Sequence, residues 1–342
     1  MSDPKNRFEA VKLVPEPDDV DQFSSPATHF LTDSAKTIIA YNDSPDVGFD
    51  ASVNPYRGCE HGCVYCYARP THEYLGFSAG LDFETKIMVK EEAPELLRRE
   101  LSSPGWEPRV LAMSGVTDCY QPVEKRLELT RRCLEVLRGF LNPVVIVTKN
   151  YLVTRDVDLL SEMARYRCAA VLISLTTLDP KLSAAMEPRA SRPARRLAAM
   201  EALAKADVPV GFLLAPMIPA LTDSEAPAIV QAAARAGARF GGYVPLRLPY
   251  GVKELFESWI ERHYPEKKDK ILNRIRAVRG GRLNDPNFHT RMKGEGIFAE
   301  QMAELFRLAC KKAGITERSP SLTTEHFRRS PSSQLGLFDK RV

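Results

Sequence analysis

The sequence predicts an α/β protein in which parallel strands alternate with helices. Five short runs rich in Val, Ile and Leu support this, because such runs are typical of strands buried on both faces. Their starts lie 34, 26, 38 and 32 residues apart, the spacing of βαβ units with right-handed crossovers. Periodicity leaves open whether they form a barrel or an open doubly wound sheet. The runs are Val110–Ser114, Val144–Thr148, Ala170–Leu175, Val208–Ala215 and Phe240–Pro245.

Helical periodicity fills the segments between these runs, for example in Leu127–Phe140 and Val157–Tyr166. Before about residue 51 the chain is polar and weakly periodic, and after residue 250 the strand–helix alternation stops. We therefore predict four parts: an N-terminal extension (1–50), a core (51–250), a helical segment (251–318) and a flexible tail rich in Ser, Pro and Thr (319–342).

Net charge and hydropathy indicate which partners and which cell compartment the protein is expected to have. The net charge is +4, but residues 251–342 hold 19 Lys and Arg against 12 Asp and Glu, which gives +7 there. A basic segment of this kind suits either a polyanion or an ordinary solvated surface. The chain has no apolar run near the ~20 residues that span a bilayer, and its N-terminus has no apolar signal region. We expect a cytoplasmic protein with no membrane partner.

Three of the seven cysteines lie within eight residues, at Cys59, Cys63 and Cys66. The odd count argues against a disulfide framework. Zinc sites use four ligands and complete iron–sulfur shells use four thiolates. Three thiolates on one loop would leave one iron of a [4Fe–4S] cluster open to a further ligand. The alternatives are a zinc site completed by His61 or His72, and a chance grouping of buried cysteines.

The segment Cys-Glu-His-Gly-Cys-Val-Tyr-Cys-Tyr-Ala-Arg, from Cys59 to Arg69, resembles the cluster loop of the radical S-adenosylmethionine (SAM) superfamily. In its wider form it is similar to the branch related to spore photoproduct lyase. The resemblance implies a partial (β/α)6 barrel of the TIM type, with the loop after its first strand. It also implies a [4Fe–4S] cluster, SAM, and an electron donor such as flavodoxin or ferredoxin. Reductive cleavage of SAM would yield a 5′-deoxyadenosyl radical that abstracts hydrogen from the substrate.

Polar side chains follow three of the predicted strands. Ligands of parallel sheets gather at the carboxyl ends of strands, so these side chains should face the site. The resemblance to the lyase branch implies that Ser114, Lys149 and Ser174 contact SAM, and we place Thr117 with them. A lysine suits the methionyl carboxylate as a point charge. The alternative is that the hydroxyls form helix caps and loop hydrogen bonds.

Tyr65 and Tyr67 flank Cys66, and the resemblance implies a role for both in hydrogen transfer. The alternative is that Tyr65 only packs beside the cluster and Tyr67 fills the core. The lyase uses a cysteine hydrogen donor in a stretch that here reads Ala112-Met113-Ser114-Gly115 and contains none. Cys119 is a candidate substitute. Glu187 and Arg189 are expected either to line the mouth of the barrel or to form an ion pair on the surface.

The tail contains the peptide Gln334-Leu335-Gly-Leu337-Phe338, which is similar to the peptides that bind the bacterial DNA sliding clamp. If used, it links the protein to DNA, and Lys267–Arg282 becomes a candidate phosphate-contacting surface. The leading hypothesis is a radical SAM enzyme that acts on nucleic acid in repair. The alternatives are a radical SAM enzyme for a protein or small molecule, and a non-enzymatic iron–sulfur protein for redox or sensing.

Overall fold

The computed structural model describes residues 4, 7, 27–316 and 318–329. Ten strands are found in this part of the chain. They are β1 (His29–Thr32), β2 (Ile39–Tyr41), β3 (Ala51–Val53), β4 (Tyr56–Arg57), β5 (Lys86–Val89), β6 (Leu111–Met113), β7 (Val144–Thr148), β8 (Ala169–Ser174), β9 (Val210–Met217) and β10 (Phe240–Pro245).

Eleven α-helices accompany the strands in the same described ranges. They are α1 (Asp82–Thr85), α2 (Ala93–Ser102), α3 (Glu124–Leu127), α4 (Leu129–Phe140), α5 (Val157–Arg165), α6 (Pro180–Met186), α7 (Pro193–Lys205), α8 (Ala226–Arg235), α9 (Val252–His263), α10 (Lys268–Val278) and α11 (Ile297–Ala313). Predicted helix 127–140 is interrupted, because Glu128 adopts a positive φ of 52° between α3 and α4.

The main sheet has the order β10-β9-β8-β7-β6-β3-β2. The six strands from β3 to β10 are parallel, and β2 runs antiparallel to β3 at the edge. The order of the parallel strands never reverses along the chain. Right-handed crossovers then place the connecting helices on one face, whereas a doubly wound sheet requires a reversal. The predicted partial (β/α)6 barrel is thus confirmed, and the doubly wound alternative is wrong.

The main core lies between this sheet and its helices, and the strands supply its apolar side chains. Val144 and Ile146 of β7 and Val171 and Ile173 of β8 are fully buried. Neighbouring strands are in register to their ends, since Thr148 pairs with Ile173. This alignment brings the residues that follow β6, β7 and β8 to a common edge, as expected for parallel strands.

Part of the N-terminal extension belongs to the sheets. In it, β1 pairs with β5 in a small three-stranded sheet, and β2 extends the main sheet. Neither strand was predicted, because each is short and half-exposed and therefore lacks a clear apolar pattern. No helix in the described residues is long and apolar enough to cross a membrane.

The structure differs from the prediction of a flexible tail over residues 319–329. The Phe327 ring stacks on Phe140 with ring centroids 6.1 Å apart. The backbone N–H of Arg328 donates to the Phe140 carbonyl at 2.9 Å, which satisfies a carbonyl that α4 leaves free at its end. Composition pointed to disorder, but one aromatic anchor and one helix end hold this stretch in place. The peptide 334–338 lies outside the described residues, so its binding to a sliding clamp stays a prediction.

We expect Phe327→Ala to lower the free energy of unfolding by about 1–2 kcal/mol, less than the ~3–5 kcal/mol of a fully buried phenylalanine, because the ring is only partly buried. Urea unfolding followed by circular dichroism measures the change. Glu325→Ala, at an exposed position of the same segment, is the control. Equal stability of the two variants would show that the segment contributes nothing to the fold.

Candidate functional site

The cysteine loop follows β4 and lies at the carboxyl edge of the main sheet. Cys59 and Cys63 are 7% and 8% exposed, Cys66 is partly buried, and all seven cysteines of the chain are free thiols. Gly58 and Gly62 have positive φ angles of 81° and 68°. A Cβ at Gly58 would lie 2.9 Å from the Phe83 carbonyl oxygen, a backbone atom, so the tight path of this loop requires glycine there.

The segment after β6 fastens this loop through Gln121, which is fully buried. Its Oε1 accepts the backbone N–H of Glu60 at 2.9 Å, and its Nε2 donates to the Gly58 carbonyl at 3.2 Å. The Val123 N–H donates to the Glu60 carboxylate at 2.6 Å. These bonds bracket Cys59 on both sides and fix the backbone that carries its thiol. We call this set of contacts the Gln121 clasp.

Two arginines donate hydrogen bonds to backbone carbonyls of the cysteine loop. Arg69 donates from Nε to the Cys63 carbonyl at 3.0 Å, and Arg189 donates from Nε to the Glu60 carbonyl. Both guanidinium groups also contact the Glu84 carboxylate, at 3.2 and 3.0 Å. Glu84 therefore joins the two arginines, and the loop carbonyls receive charge-assisted hydrogen bonds.

The donor set fits an iron–sulfur cluster better than a single metal ion. Among the described residues, no three His, Cys, Asp or Glu side chains converge on a point suited to one metal ion. In a four-iron cluster each thiolate binds a different iron, so convergence on one point is not required. His72 uses Nε2 on the Lys86 carbonyl at 2.9 Å, and His61 lies between Asp118 and Asn150.

Burial raises the pKa of all three thiols, in Cys63 to about 12. Lys149 acts in the opposite direction on Cys63 and Cys66, because its positive charge favours thiolates. Metal ligands must be deprotonated, and iron itself supplies the remaining charge stabilisation when it binds. The loop thus presents two buried thiols and one partly buried thiol, which a metal cluster would convert to thiolates.

The ends of β7 and β8 bring Lys149 and Ser174 together beside the loop. Lys149 Nζ donates to Ser174 Oγ at 2.9 Å and lies 5.9 Å from the centre of the Tyr65 ring. Ser174 donates in turn to the Ala215 carbonyl at 3.0 Å. Lys149 forms no ion pair with a carboxylate among the residues that the structure describes. Its charge is therefore available to an anionic ligand.

Glu187 is the charge centre of this edge, and of the two alternatives that the sequence left open for it, the surface ion pair is wrong. It forms no surface pair with Arg189 but a fully buried ion pair with Arg196 of α7. It also accepts hydrogen bonds from the Tyr65 hydroxyl and, at 3.1 Å, from Thr176. Burial alone would raise its pKa, but Arg196, Lys149 and the Tyr65 hydroxyl lower the pKa of Glu187 to about 2.

Asp118 links the cysteine loop to β7 and was missed as a site residue. It accepts from Thr148 Oγ1 and from the Lys149 backbone N–H, both at 2.8 Å. Its carboxylate also lies 3.4 Å from Nδ1 of His61. Burial opposes ionisation, but His61 and the backbone donors outweigh it and lower the pKa of Asp118 to about 2. An aspartate two residues before a buried tyrosine carries no signal of this role in one sequence.

The chain has relatives among known proteins. Residues 53–233, more than half of the chain, match the sequence model of the Radical SAM superfamily. The chain belongs to the radical SAM superfamily. It is 35% identical over 248 residues to an uncharacterized protein of Mycobacterium tuberculosis, covering 72% of each chain. It is 27% identical over 224 residues to one of Methanocaldococcus jannaschii, covering 65% of this chain and 79% of that one.

Solved structures show the same fold. A spore photoproduct lyase complexed with dinucleoside spore photoproduct superimposes with a TM-score of 0.61 at 17% identity, covering 84% of this chain and 81% of that one. A mutant of that lyase with bound AdoMet matches with a TM-score of 0.56 over 84% and 80% of the two chains. As a radical SAM enzyme, the protein uses a [4Fe–4S] cluster and SAM and needs a reductant.

The remaining predicted residues fall into two groups. Ser114 and Thr117 follow β6 at the site edge, but both hydroxyls make structural bonds. Ser114, at a strained φ of 74°, accepts the Cys119 N–H at 2.7 Å, and Thr117 donates to the Tyr56 carbonyl at 2.8 Å. The Cys119 side chain is instead 1% exposed within the main core, and burial raises its pKa well above the usual value. The structure does not bring this thiol to the site.

The two tyrosines beside Cys66 have different surroundings. Tyr65 is 6% exposed, and burial together with the charge of Glu187 raises its pKa, so its hydroxyl stays a donor to that carboxylate. Tyr67 is 48% exposed, and its hydroxyl donates to the Gly115 carbonyl at 2.9 Å. Tyr65 is therefore fixed in the interior, whereas the Tyr67 ring faces outward, not into the core.

We expect Gln121→Leu to destabilise the cluster-free protein by about 2–4 kcal/mol, because it leaves the buried N–H of Glu60 and carbonyl of Gly58 without partners. Urea unfolding gives the change. The matched control is Gln231→Leu at an exposed position of α8. If both variants unfold at the same urea concentration, the Gln121 clasp does not hold the loop.

We expect Glu187→Gln to cost about 3–5 kcal/mol near neutral pH, since it leaves Arg196 buried without its counter-charge. The pKa of Glu187 is lower in the folded state, so its stabilisation is complete above about pH 5 and declines as the pH falls towards 2. The stability gap between wild type and variant should therefore narrow in acid. Denaturant unfolding from neutral pH downwards measures it, and a gap that widened in acid would contradict the ion pair.

Proposed function

We propose that Cys59, Cys63 and Cys66 hold the cluster, that Lys149 and Ser174 hold SAM, and that the enzyme acts on a nucleic acid. The observation that carries the site assignment is the meeting of the three-cysteine loop with the unpaired Lys149 ammonium at one sheet edge. When bound, the reduced cluster supplies the electron that cleaves SAM and so produces the radical that abstracts hydrogen from the substrate.

Lys149 is suited to the methionyl carboxylate of SAM. Its ammonium donates to a neutral hydroxyl and has a free charge, so a carboxylate gains a charge-assisted hydrogen bond there. Ser174 holds the ammonium in place from β8. Ser114 and Thr117 lie at the end of β6, and we assign them to the wall of the SAM pocket, where the second lone pair of each hydroxyl oxygen can still accept a donor.

Tyr65 acts as a positioning residue in this proposal. Its hydroxyl is bonded to Glu187, which fixes the chain between Cys63 and Cys66 against the body of the barrel. The buried ring also excludes water from the side of the loop that faces Lys149, which strengthens electrostatic interactions there. Direct contact with the substrate is assigned to Tyr67, whose ring is half-exposed beside Cys66.

Two observations favour a nucleic acid as substrate. The fold matches that of a lyase whose structure contains a dinucleoside photoproduct. An exposed tyrosine beside the cluster loop offers a face on which a base can stack, a common way to bind single-stranded nucleic acid. A role in DNA repair follows as part of the proposal. With Cys119 in the core, we do not assign it the hydrogen donation that lesion reversal would need. We assign electron delivery to a flavodoxin or a ferredoxin.

The test is formation of 5′-deoxyadenosine by anaerobically reconstituted protein with dithionite and SAM. We expect Cys63→Ala to abolish the product and to lower bound iron, because one iron loses its protein ligand.

Lys149→Met should weaken SAM binding, measured by equilibrium dialysis, by roughly tenfold to a hundredfold, the scale of one hydrogen bond to a charged group. Lys205→Met, 73% exposed on α7, is the matched control. Unchanged SAM affinity in Lys149→Met would refute the assignment.

The substrate class is tested with the same assay. Single-stranded DNA, a peptide mixture and a cell extract depleted of macromolecules are each added to the wild-type enzyme. Of the three additions, we expect only DNA to raise the yield of 5′-deoxyadenosine. Digestion of that DNA should then release a modified nucleoside. Stimulation by the peptide or small-molecule fraction, with none by DNA, would replace the nucleic-acid assignment with the other radical SAM class.

A further inference from the structure

We propose that Arg247, two residues beyond the end of β10, binds a phosphate group of the substrate at the mouth of the barrel. The inference rests on the proposed action on nucleic acid and adds the contact that anchors its backbone. Leu246 and Leu248 are 1% and 0% exposed, so they point into the core while the side chain between them turns the other way. That direction brings the guanidinium carbon of Arg247 to 5.7 Å from the centre of the Tyr67 ring.

Arg247 has an unsatisfied donor. Its Nε is buried and has no hydrogen-bond acceptor in the described part of the chain, and no carboxylate there forms an ion pair with it. Its one bond from Nη1, at 3.4 Å, goes to the thioether sulfur of Met292, a weak acceptor. A buried charged donor left in this state is costly, and a bound ligand is one arrangement that would satisfy it.

The charges around Arg247 make its lack of a negatively charged partner more costly. Arg279 is 3% exposed and donates to backbone carbonyls only, among them Pro245 at 2.8 Å and Arg291 at 2.7 Å. Arg291 is paired with Asp46, and Asp285 is the other nearby carboxylate. Three guanidinium groups thus face two carboxylates. Burial and the neighbouring arginines lower the pKa of both Arg247 and Arg279, which is the effect that a bound anion would relieve.

Phosphate is the anion that fits this arrangement. A guanidinium presents a planar fork of donors that matches phosphate oxygens, and Arg247 uses only Nη1 in a hydrogen bond to the described residues. The Tyr67 ring lies on the side of the guanidinium that leads to Cys66. A nucleotide whose phosphate is bound at Arg247 would therefore have its base within reach of Tyr67 and the cluster loop. Lys149, at the end of β7, remains free for the carboxylate of SAM.

The first arm of the test uses inorganic phosphate on the full-length, reconstituted protein. We expect phosphate to raise the melting temperature of the wild type and to have no effect on Arg247→Gln. In phosphate-free buffer the variant should melt at or above the wild-type temperature, because it removes an uncompensated charge. Arg98→Gln, an exposed position on α2 with the same change in charge, is the control and should respond as the wild type does.

The second arm uses a short fluorescein-labelled, single-stranded oligodeoxynucleotide and fluorescence anisotropy. We expect Arg247→Gln to weaken binding about tenfold and to reduce the slope of log K against log salt by about 0.7, the loss of one phosphate contact on a single strand. Arg247→Lys keeps the charge but not the fork of donors, so it should bind the oligonucleotide more tightly than Arg247→Gln and more weakly than the wild type. Binding of SAM should be the same in all variants, which separates a substrate anion from the SAM carboxylate.

The outcomes separate this site from the proposed function. If phosphate stabilises wild type, Arg98→Gln and Arg247→Gln equally, the phosphate site is refuted, whether or not DNA binds. If only Arg247→Gln loses the phosphate response but no variant binds the oligonucleotide, the site stands and the nucleic-acid assignment fails. Loss of SAM affinity in Arg247→Gln would overturn the proposal in favour of a SAM contact.

Discussion

The structure depends on holding an irregular loop that presents three thiols without regular secondary structure of its own. Such a loop satisfies only some of its backbone polar groups internally, for example through the bond from the Cys66 N–H to the Cys63 carbonyl at 3.2 Å, so other elements must satisfy the rest. Gln121 bonds the chain on both sides of Cys59, and Arg69 and Arg189 bond two of its carbonyls. Gln121 lies beyond the end of β6 and Arg189 beyond the end of α6, while Arg69 directly follows the loop, so the barrel around the loop is the frame of the site.

Charge at this edge is arranged so that most groups are compensated in the interior. Glu187 neutralises Arg196. Asp118 accepts hydrogen bonds from the end of β7 and lies 3.4 Å from Nδ1 of His61 in the loop. A low local dielectric makes these pairs strong and makes an uncompensated charge costly. Against that background Lys149 and Arg247 stand out, because each cation is without a carboxylate partner among the described residues. They are the two places where we propose that anionic groups bind, one near β7 and one near β10.

The likeness to spore photoproduct lyase shows how far a fold constrains a reaction. At 17% identity the two chains share the barrel, yet the side chains at the mouth decide which hydrogen is moved. Here Cys119 is packed in the main core, while Tyr67 is exposed beside the cluster loop. The fold supplies the place for the cofactor, and a few residues at the strand ends adapt it to a substrate.

The sequence by itself determined the features that depend on local order: the strand spacing, the cysteine spacing, and the residues that follow each strand. It also indicated Lys149 and Ser174, because residues after parallel strands share an edge. Only the tertiary structure decided that Gln121 grips a loop 61 residues away, that Glu187 pairs with Arg196, and that residues 319–329 pack on α4. These contacts depend on which distant side chains come together when the partial barrel folds. No local pattern in the sequence specifies those pairs.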